Sequence, residues 1–437
     1  MRKNVSHIKN IPPLRSVPAT GRFFAKRGAW AFALLSLCAG AGAQSPLGLQ
    51  YPFGMPDMAV TGSAAAMGGS GAAVAEEQLG TSLNPANAAI GGRSAYSAMV
   101  SFDFVTIADD GKSSTVSGYA PKLLSLILPL GAAGNVSFAM QTRYNANINF
   151  FMTKVIQDTL DKYNANTVEL QNAGGLTSWQ AGWGYRFKNG LSFGLIYERL
   201  FFNEESRRSF ESVFRYTLDD GTDVSYEGNA AGDTTTTAFS SNGIRFGAQI
   251  PVHEKVTAGI AAEYIFRSRN GKKESTLDTS KFPIDLPPSI NIGISYRPDE
   301  RWLIAADARS TLWDRYDDYS PLGDASLLGT TYGASLGGRF VPAANRLSAK
   351  YWEKIHYNAG VRYSTLPLTR PREYAQEYAL AAGAGLPIPN DGGLIDIVFE
   401  FGQRTDTRYS KYSENTVKFL LGINGGRNWF QKDARNR

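Results

Sequence analysis

The feature that most constrains this chain is a two-residue hydrophobic period that recurs along most of its length. Ile244, Phe246, Ala248, Ile250 and Val252 alternate with Arg245, Gly247 and Gln249. After a short turn, Val256, Ala258, Ile260, Ala262, Tyr264 and Phe266 alternate with Thr257, Gly259, Glu263 and Arg267. Such a period gives each strand one apolar and one polar face. Where Arg and Glu recur on the polar face and strands run about ten residues, a closed barrel in a membrane satisfies every group. Lipid meets the apolar face, the lumen takes the polar one, and closure leaves no unpaired edge.

The pattern predicts fourteen strands, near 95–107, 117–130, 134–149, 176–187, 191–203, 236–251, 255–267, 288–297, 301–313, 329–341, 353–364, 376–388, 393–405 and 415–424. Their connections alternate. Lys188-Asn189-Gly190, His253-Glu254 and Pro298-Asp299-Glu300 are short turns, whereas 150–175, 204–235 and 268–287 read as long loops. Short periplasmic turns opposite long extracellular loops mark bacterial outer-membrane barrels, and an even count returns both ends to the periplasm. A soluble β-sandwich also predicts alternation. It does not predict this loop rhythm, nor aromatics near strand ends such as Tyr296, Trp302, Trp313 and Tyr363.

Residues 1–43 read as an export signal. Basic Arg22, Lys26 and Arg27 precede an apolar run from Ala29 to Ala41, and Ala41-Gly42-Ala43 fits the small-residue cleavage rule. This stretch carries seven Lys/Arg and no acid. Removing those seven from the 45 basic residues leaves 38 against 39 acidic ones, so the basic balance belongs to the signal and implies no nucleic-acid partner. The single cysteine, Cys38, lies there too, so the remainder carries no disulfide, thiolate metal site or cysteine nucleophile.

Residues 44–94 break the strand pattern and form a second division ahead of the barrel at 95–437. Ala64 to Ala75 is almost entirely Ala, Gly and Ser, and Gly68, Gly69 and Gly71 permit tight bends. Asn84-Pro85 suits a turn or a helix start. Such a segment fits a plug folded into the lumen; a flexible periplasmic leader has the same composition.

The run AMGGSGAAVAEEQLGTSLNPANAA (66–89), with Asn84, Pro85 and Ala86, resembles the N-terminal hatch of the FadL-like long-chain fatty acid transporter family. Residues 286–313 resemble that family's paired strands around Asp307 and Trp313, and 383–404 and 417–432 look like its Bacteroidetes-type outer-membrane branch. The resemblance implies an all-β, 14-stranded antiparallel transmembrane barrel with a hatch in the lumen, in a Gram-negative outer membrane. It implies passive uptake of hydrophobic compounds such as long-chain fatty acids, with lateral release into the bilayer. On that reading Asn84, Pro85, Ala86, Gly68, Gly69 and Gly71 build the hatch. The apolar segment 145–162, through Phe150, Phe151, Met152 and Ile156, helps capture the ligand, or packs on itself over the mouth. The related PorV type implies the alternative, a barrel scaffold with a protein partner in secretion or surface attachment.

No catalytic set is apparent. Beyond the signal only His253 and His356 remain, with no Ser/His/acid or metal motif, so no enzyme activity, metal or cofactor is expected. The polar face carries Arg245, Glu263, Arg267, Arg297, Asp307, Arg309, Arg339, Arg362, Asp396, Glu400 and Lys418. Evenly mixed signs favour an internal ion-pair lattice over a headgroup site for most of them.

Overall fold

The computed structural model describes residues 53–427, apart from 59, 77–78, 110–111, 160–161, 218–221, 228–230, 276–277, 314–327, 344–348, 371–372, 390–392 and 407–412. The predicted export signal lies outside the described residues.

Fourteen antiparallel strands close into a barrel. They are β1 (Ser94–Asp109), β2 (Lys112–Pro129), β3 (Asn135–Asn145), β4 (Lys162–Arg186), β5 (Ser192–Thr217), β6 (Ala231–His253), β7 (Val256–Ile265), β8 (Ser289–Tyr296), β9 (Trp302–Thr311), β10 (Thr331–Phe340), β11 (His356–Arg370), β12 (Glu373–Ile388), β13 (Gly393–Asp406) and β14 (Ser413–Arg427). Each pairs with its chain neighbour, and β14 closes the ring on β1 from Ser413↔Ala108 to Arg427↔Ser94. The edge problem of an open sheet is thereby removed.

The apolar faces point outward, as a lipid-solvated barrel requires. Phe246, Ile250, Tyr264, Ile292, Ile294, Leu336, Leu380, Phe399 and Phe401 all stand exposed, while Arg245, Glu263, Asp307, Arg362 and Glu400 between them are buried. No described helix is long and apolar enough to cross a membrane. Two of the charges read as luminal are elsewhere. Arg267 falls beyond the end of β7 and is exposed, and Arg297 lies exposed in the turn after β8.

The long connections differ from expectation. The stretches 150–175 and 204–235 are largely strand: β4 has 25 residues and β5 has 26, paired without a break from Arg186↔Ser192 to Lys162↔Tyr216. At about 3.3 Å per residue they reach ~80 Å, more than twice what crossing a bilayer needs. Ile148–Thr159 adds a further strand beside β4, and Asp223–Glu227 one beside β5. Ser268–Glu274 and Thr279–Ile284 form a hairpin above β7 and β8. Polar sequence rich in Glu, Arg and Ser hid the upper half of β5, because a ribbon solvated on both faces has no apolar period to read.

Inside the barrel lies the N-terminal segment. Gly62–Ala66 makes one buried helical turn and Pro85–Ala89 a buried 3-10 helix. Gly68 and Gly69, at φ 68° and 82°, reverse the chain after the first turn, a conformation other residues rarely adopt. Luminal glycines make the room: the face of Gly360 and Gly337 meets the Met67 backbone, and that of Gly194 meets Pro85, so a Cβ at these positions would collide. Above this segment sits an aromatic and aliphatic cluster. Fully buried Phe53 packs edge-on to Phe202 and Phe239 at 5.5 and 5.4 Å and stacks on Trp313 at 6.1 Å. Trp313 is therefore a core residue, 2% exposed, rather than an interfacial anchor: β9 has ended at Thr311 and the indole turns inward.

Candidate functional site

One stretch of the barrel wall is incompletely laced. β2 and β3 pair only from Pro129↔Asn135 to Leu123↔Gln141. Above that, among the described residues, Lys112–Pro121 of β2 keeps its ladder with β1 but has none with β3, and Lys122 bulges between the two stretches. Phe102 and Phe104, the β1 partners of Tyr119 and Ser117, are exposed, so the seam begins at the height of the apolar belt. The N-terminal segment fills its foot. Met55 and Pro56 pair as a short strand with Asn145 and Tyr144, and Asp57 N–H donates to Arg143 O at 2.8 Å. The Asp57 carboxylate forms an ion pair with Lys122 on the other side of the seam, and Lys122 also reaches Asp103 Oδ2 at 3.4 Å. All three side chains are buried, so each charge depends on the others. Thr142 Oγ1 donates to Pro121 O at 2.8 Å beside them.

A cavity of about 260 Å³ adjoins the seam. Pro56, Asp57, Gln141, Arg143 and Tyr144 border it there; Leu176, Leu200, Ile265, Leu286 and Trp313 form an apolar wall; Arg245, Arg309, Arg362, Glu263 and Glu377 face them. Most of these charges are paired. Arg143 Nη2 donates to both oxygens of Glu263 at 2.7 and 2.8 Å, and Arg362 grips Glu400 in a fork, Nη1 to Oε2 at 3.1 Å and Nη2 to Oε1 at 3.0 Å. Arg362 also binds Glu377 at 2.8 Å, while Arg404 and Lys418 complete the lattice at 2.6 and 3.3 Å. Bidentate geometry offsets the desolvation of such groups. Two guanidiniums keep spare donors, although Arg245 Nη2 donates to Ser82 O at 2.6 Å and its Nε lies 4.0 Å from Glu263. Arg309 makes no hydrogen bond or ion pair among the described residues, and Arg245 Nη1 is buried without a hydrogen-bond partner. A wall of apolar side chains opposite spare guanidinium donors is chemistry suited to an amphiphile with an anionic end.

The residues read as a hatch meet the barrel at defined points. Asn84 caps the 3-10 helix by accepting from Ala86 N–H at 2.9 Å, and its Nδ2 donates to Ala72 O at 2.6 Å and Ala248 O at 3.1 Å. Asp307 Oδ2 accepts from the N–H groups of Gly71 and Ala72 at 3.0 and 2.9 Å. Gln249 donates to Ala72 O, Val74 O and Asn87 Oδ1 at 3.1, 3.2 and 2.9 Å. Glu76 forms ion pairs with Arg339 and Arg297 at the short-turn end of the barrel. Burial there favours the neutral acid, but the guanidiniums of Arg339 and then Arg297 outweigh it and hold the carboxyl down from its ordinary 4.5 to about 2. Sequence reasoning named Asn84, Pro85, Ala86 and the three glycines but not Asp57, Glu76, Lys122 or Gln249, whose partners are up to 263 residues away.

Phe150, Phe151, Met152 and Ile156 lie on the strand Ile148–Thr159, paired with Lys162–Asn172 of β4, rather than in a loop. Their side chains lie outside the described residues. Of the histidines, His253 is exposed at the β6–β7 turn and His356 opens β11 on the luminal side with Nδ1 unbonded. No group of three or more metal-ligating side chains is found among the described residues.

The closed fourteen-strand barrel is similar in fold to several solved structures. A Pseudomonas aeruginosa FadL homologue matches over 87% of this chain and all of its own, at 12% identity and a TM-score of 0.55. The Pseudomonas putida toluene transporter TodX matches over 84% and 98% at 14% identity and 0.51, and the monoaromatic hydrocarbon channel CymD over 86% and 100% at 14% and 0.50. At such identity the likeness establishes the fold. The chain belongs to the BamG family, whose model matches residues 28–436. No significant relative is found among curated protein sequences.

Proposed function

We propose that this barrel resides in the outer membrane of a Gram-negative bacterium and takes up hydrophobic compounds with an anionic end, such as long-chain fatty acids. In this reading the ligand occupies the luminal cavity and leaves sideways through the β2–β3 seam, with residues 44–94 serving as the hatch. The observation that carries it is that the cavity is bordered by Asp57 and by Gln141, Arg143 and Tyr144 of β3, the strand from which β2 parts above Leu123. A fatty acyl chain crosses a polar leaflet slowly; a sheltered apolar path lowers that barrier and spares the chain from periplasmic water. The cavity alone, at about 260 Å³, falls just below the usual range for small-molecule sites. A long chain therefore fits with its carboxylate toward Arg309 and its tail in the seam. The likeness to hydrophobic-compound channels supports this assignment.

The test is extraction of the purified chain followed by mass spectrometry of co-bound lipid, with Arg309→Gln alongside. A stoichiometric amphiphile that is lost from the variant supports uptake. A lipid-free protein refutes it.

A second reading, a scaffold for a protein partner, draws on the tall β4–β5 ribbon. Phe210, Phe214 and Tyr216 stay 43, 40 and 43% exposed on it, far above the apolar belt. A lipid-free barrel that brings down a defined partner in stoichiometric amount, with loss on Phe214→Ser, would select this reading instead.

A further inference from the structure

The outer surface of β5–β8 carries a structured basic strip where an apolar barrel is expected to meet only lipid. Its position follows from register. Tyr197 and Ile244 pair across β5 and β6 and are 51 and 41% exposed, so they belong to the lipid-facing belt. The next outward pair up the wall is Arg199↔Asn242, and the one after it Phe201↔Ser240. Arg199 is held there: Nη1 donates to Asn242 Oδ1 at 2.8 Å, Nη2 to Ser240 Oγ at 2.7 Å, and the guanidinium lies 5.5 Å from the Phe201 ring centre. Asn270 extends the network from the hairpin above β7, donating to Ser240 Oγ at 2.8 Å. One step higher, Ala238 pairs with Lys272, and Lys272 lies directly opposite Lys281 on the same face. Both lysines, with Arg267 and Arg269, are exposed.

Two aspects of this strip call for an anion. Like charges directly opposite on a sheet repel, and Lys272 and Lys281 are so placed. Glu274, which pairs with Lys272, and Asp278 at the hairpin tip are the acids of the hairpin, against Arg269, Lys272, Lys273 and Lys281, with Arg199 beside them. One row above on β5, Glu205 and Arg207 neutralise each other at 2.8 Å and contribute nothing further. The guanidinium of Arg199 has five N–H donors and spends two on the bonds above, which leaves donors for a ligand oxygen. The strip lies on the side of the barrel with the long connections, the extracellular side, and measured along the strands runs from roughly 7 Å above the belt at Arg199 to about 20 Å at Lys272. That is headgroup height in the outer leaflet.

We infer that Arg199, Lys272 and Lys281 bind the phosphate of a phosphate-bearing lipid of the outer leaflet, whose acyl chains lie on Tyr197, Ile244 and Tyr264 below. The inference rests on the membrane-spanning orientation and is independent of what the lumen carries. The experiment is native mass spectrometry of the full chain, released from vesicles of phosphatidylethanolamine containing diphosphoryl lipid A or its dephosphorylated counterpart. Retained diphosphoryl lipid should fall about fivefold for each of Arg199→Gln, Lys272→Gln and Lys281→Gln. Lys272→Gln/Lys281→Gln touches only exposed side chains, and heat-modifiable migration confirms its folding. Equal retention by the variants, or of the dephosphorylated lipid, overturns the inference. So does complete displacement by inorganic phosphate, which would identify a free-anion site. A chain that does not insert into vesicles at all would refute the orientation itself.

Discussion

Removing Lys122 should open the β2–β3 seam. Its ammonium serves two buried carboxylates, Asp57 on the N-terminal segment and Asp103 on β1, and the three side chains are 2, 4 and 8% exposed. Loss of this cation leaves Asp57 without its ion-pair partner and Asp103 with the Ser101 hydroxyl and the more distant Lys418, and breaking a buried pair from one side costs about 3–5 kcal/mol. β1 and β2 are fixed in the barrel, so Asp103 has no escape. Asp57 does: it can reach water if the strand Met55–Asp57 lifts from β3. That movement sacrifices the Asp57–Arg143 bond and the pairing at Asn145 and Tyr144, each hydrogen bond worth about 0.5–1.5 kcal/mol net. The two costs are comparable, so Lys122→Ala should populate the lifted state heavily. The reporter is Met55→Cys, buried at 1% exposure, with Cys38 replaced so that the probe is the sole thiol. Maleimide labelling in detergent should accelerate about 100-fold in Lys122→Ala, from ~3 kcal/mol at a factor of ten per 1.4 kcal/mol. Asp57→Asn/Lys122→Met removes one charge of each sign and should return the rate to within a few-fold of the parent. A Lys122→Ala rate within twofold of the parent, with the barrel still folded, would refute the claim that this ion pair closes the seam.

Other outcomes follow from the same contacts. Gly360→Leu, which has no room beside Met67, should raise labelling of a Ser70→Cys reporter, whereas Gly338→Leu, whose nearest neighbour is Leu303 O at 3.6 Å, should leave it unchanged. Asn84→Ala removes three hydrogen bonds at a fully buried site and should cost about 2–4 kcal/mol of resistance to denaturant. Because the Glu76 carboxyl is depressed from 4.5 to about 2, its ion pairs contribute fully above pH 4.5 and are lost as pH falls through 2. That window is worth at most about 3 kcal/mol, to be seen as amide protection near residues 71–76 that declines with acid and loses this decline in Glu76→Gln. Arg309→Gln should weaken binding of a long-chain carboxylate about tenfold or more, measured by retained ligand, while a neutral alcohol of equal length binds as before.

The barrel was legible because its cause is local. Alternation at Ile244–Val252 or Val417–Ile423 states which side chains meet lipid, and the Gly and Pro turns between strands state where the chain reverses, so strand number and order follow. Asn84-Pro85 likewise announced a capped helical start, since cap and first-turn geometry are set within a few residues. The upper halves of β4 and β5 were not legible: on β5 both faces are solvated from Glu204 to Tyr216, so no period separates the stretch from loop, and cross-strand pairing holds the two extended. Trp313 was misread for a related reason, because an aromatic at a strand end suits the interface and the lumen equally until the chain's turn after Thr311 is known. Which charges pair was decided wholly in three dimensions. The sequence supplies a mixed set of luminal acids and bases, but Lys122 finds Asp57 and Glu76 finds Arg339 only once the barrel has closed around the N-terminal segment. The seam has the same origin: a missing ladder is a relation between β2 and β3, and no residue on either strand records it alone.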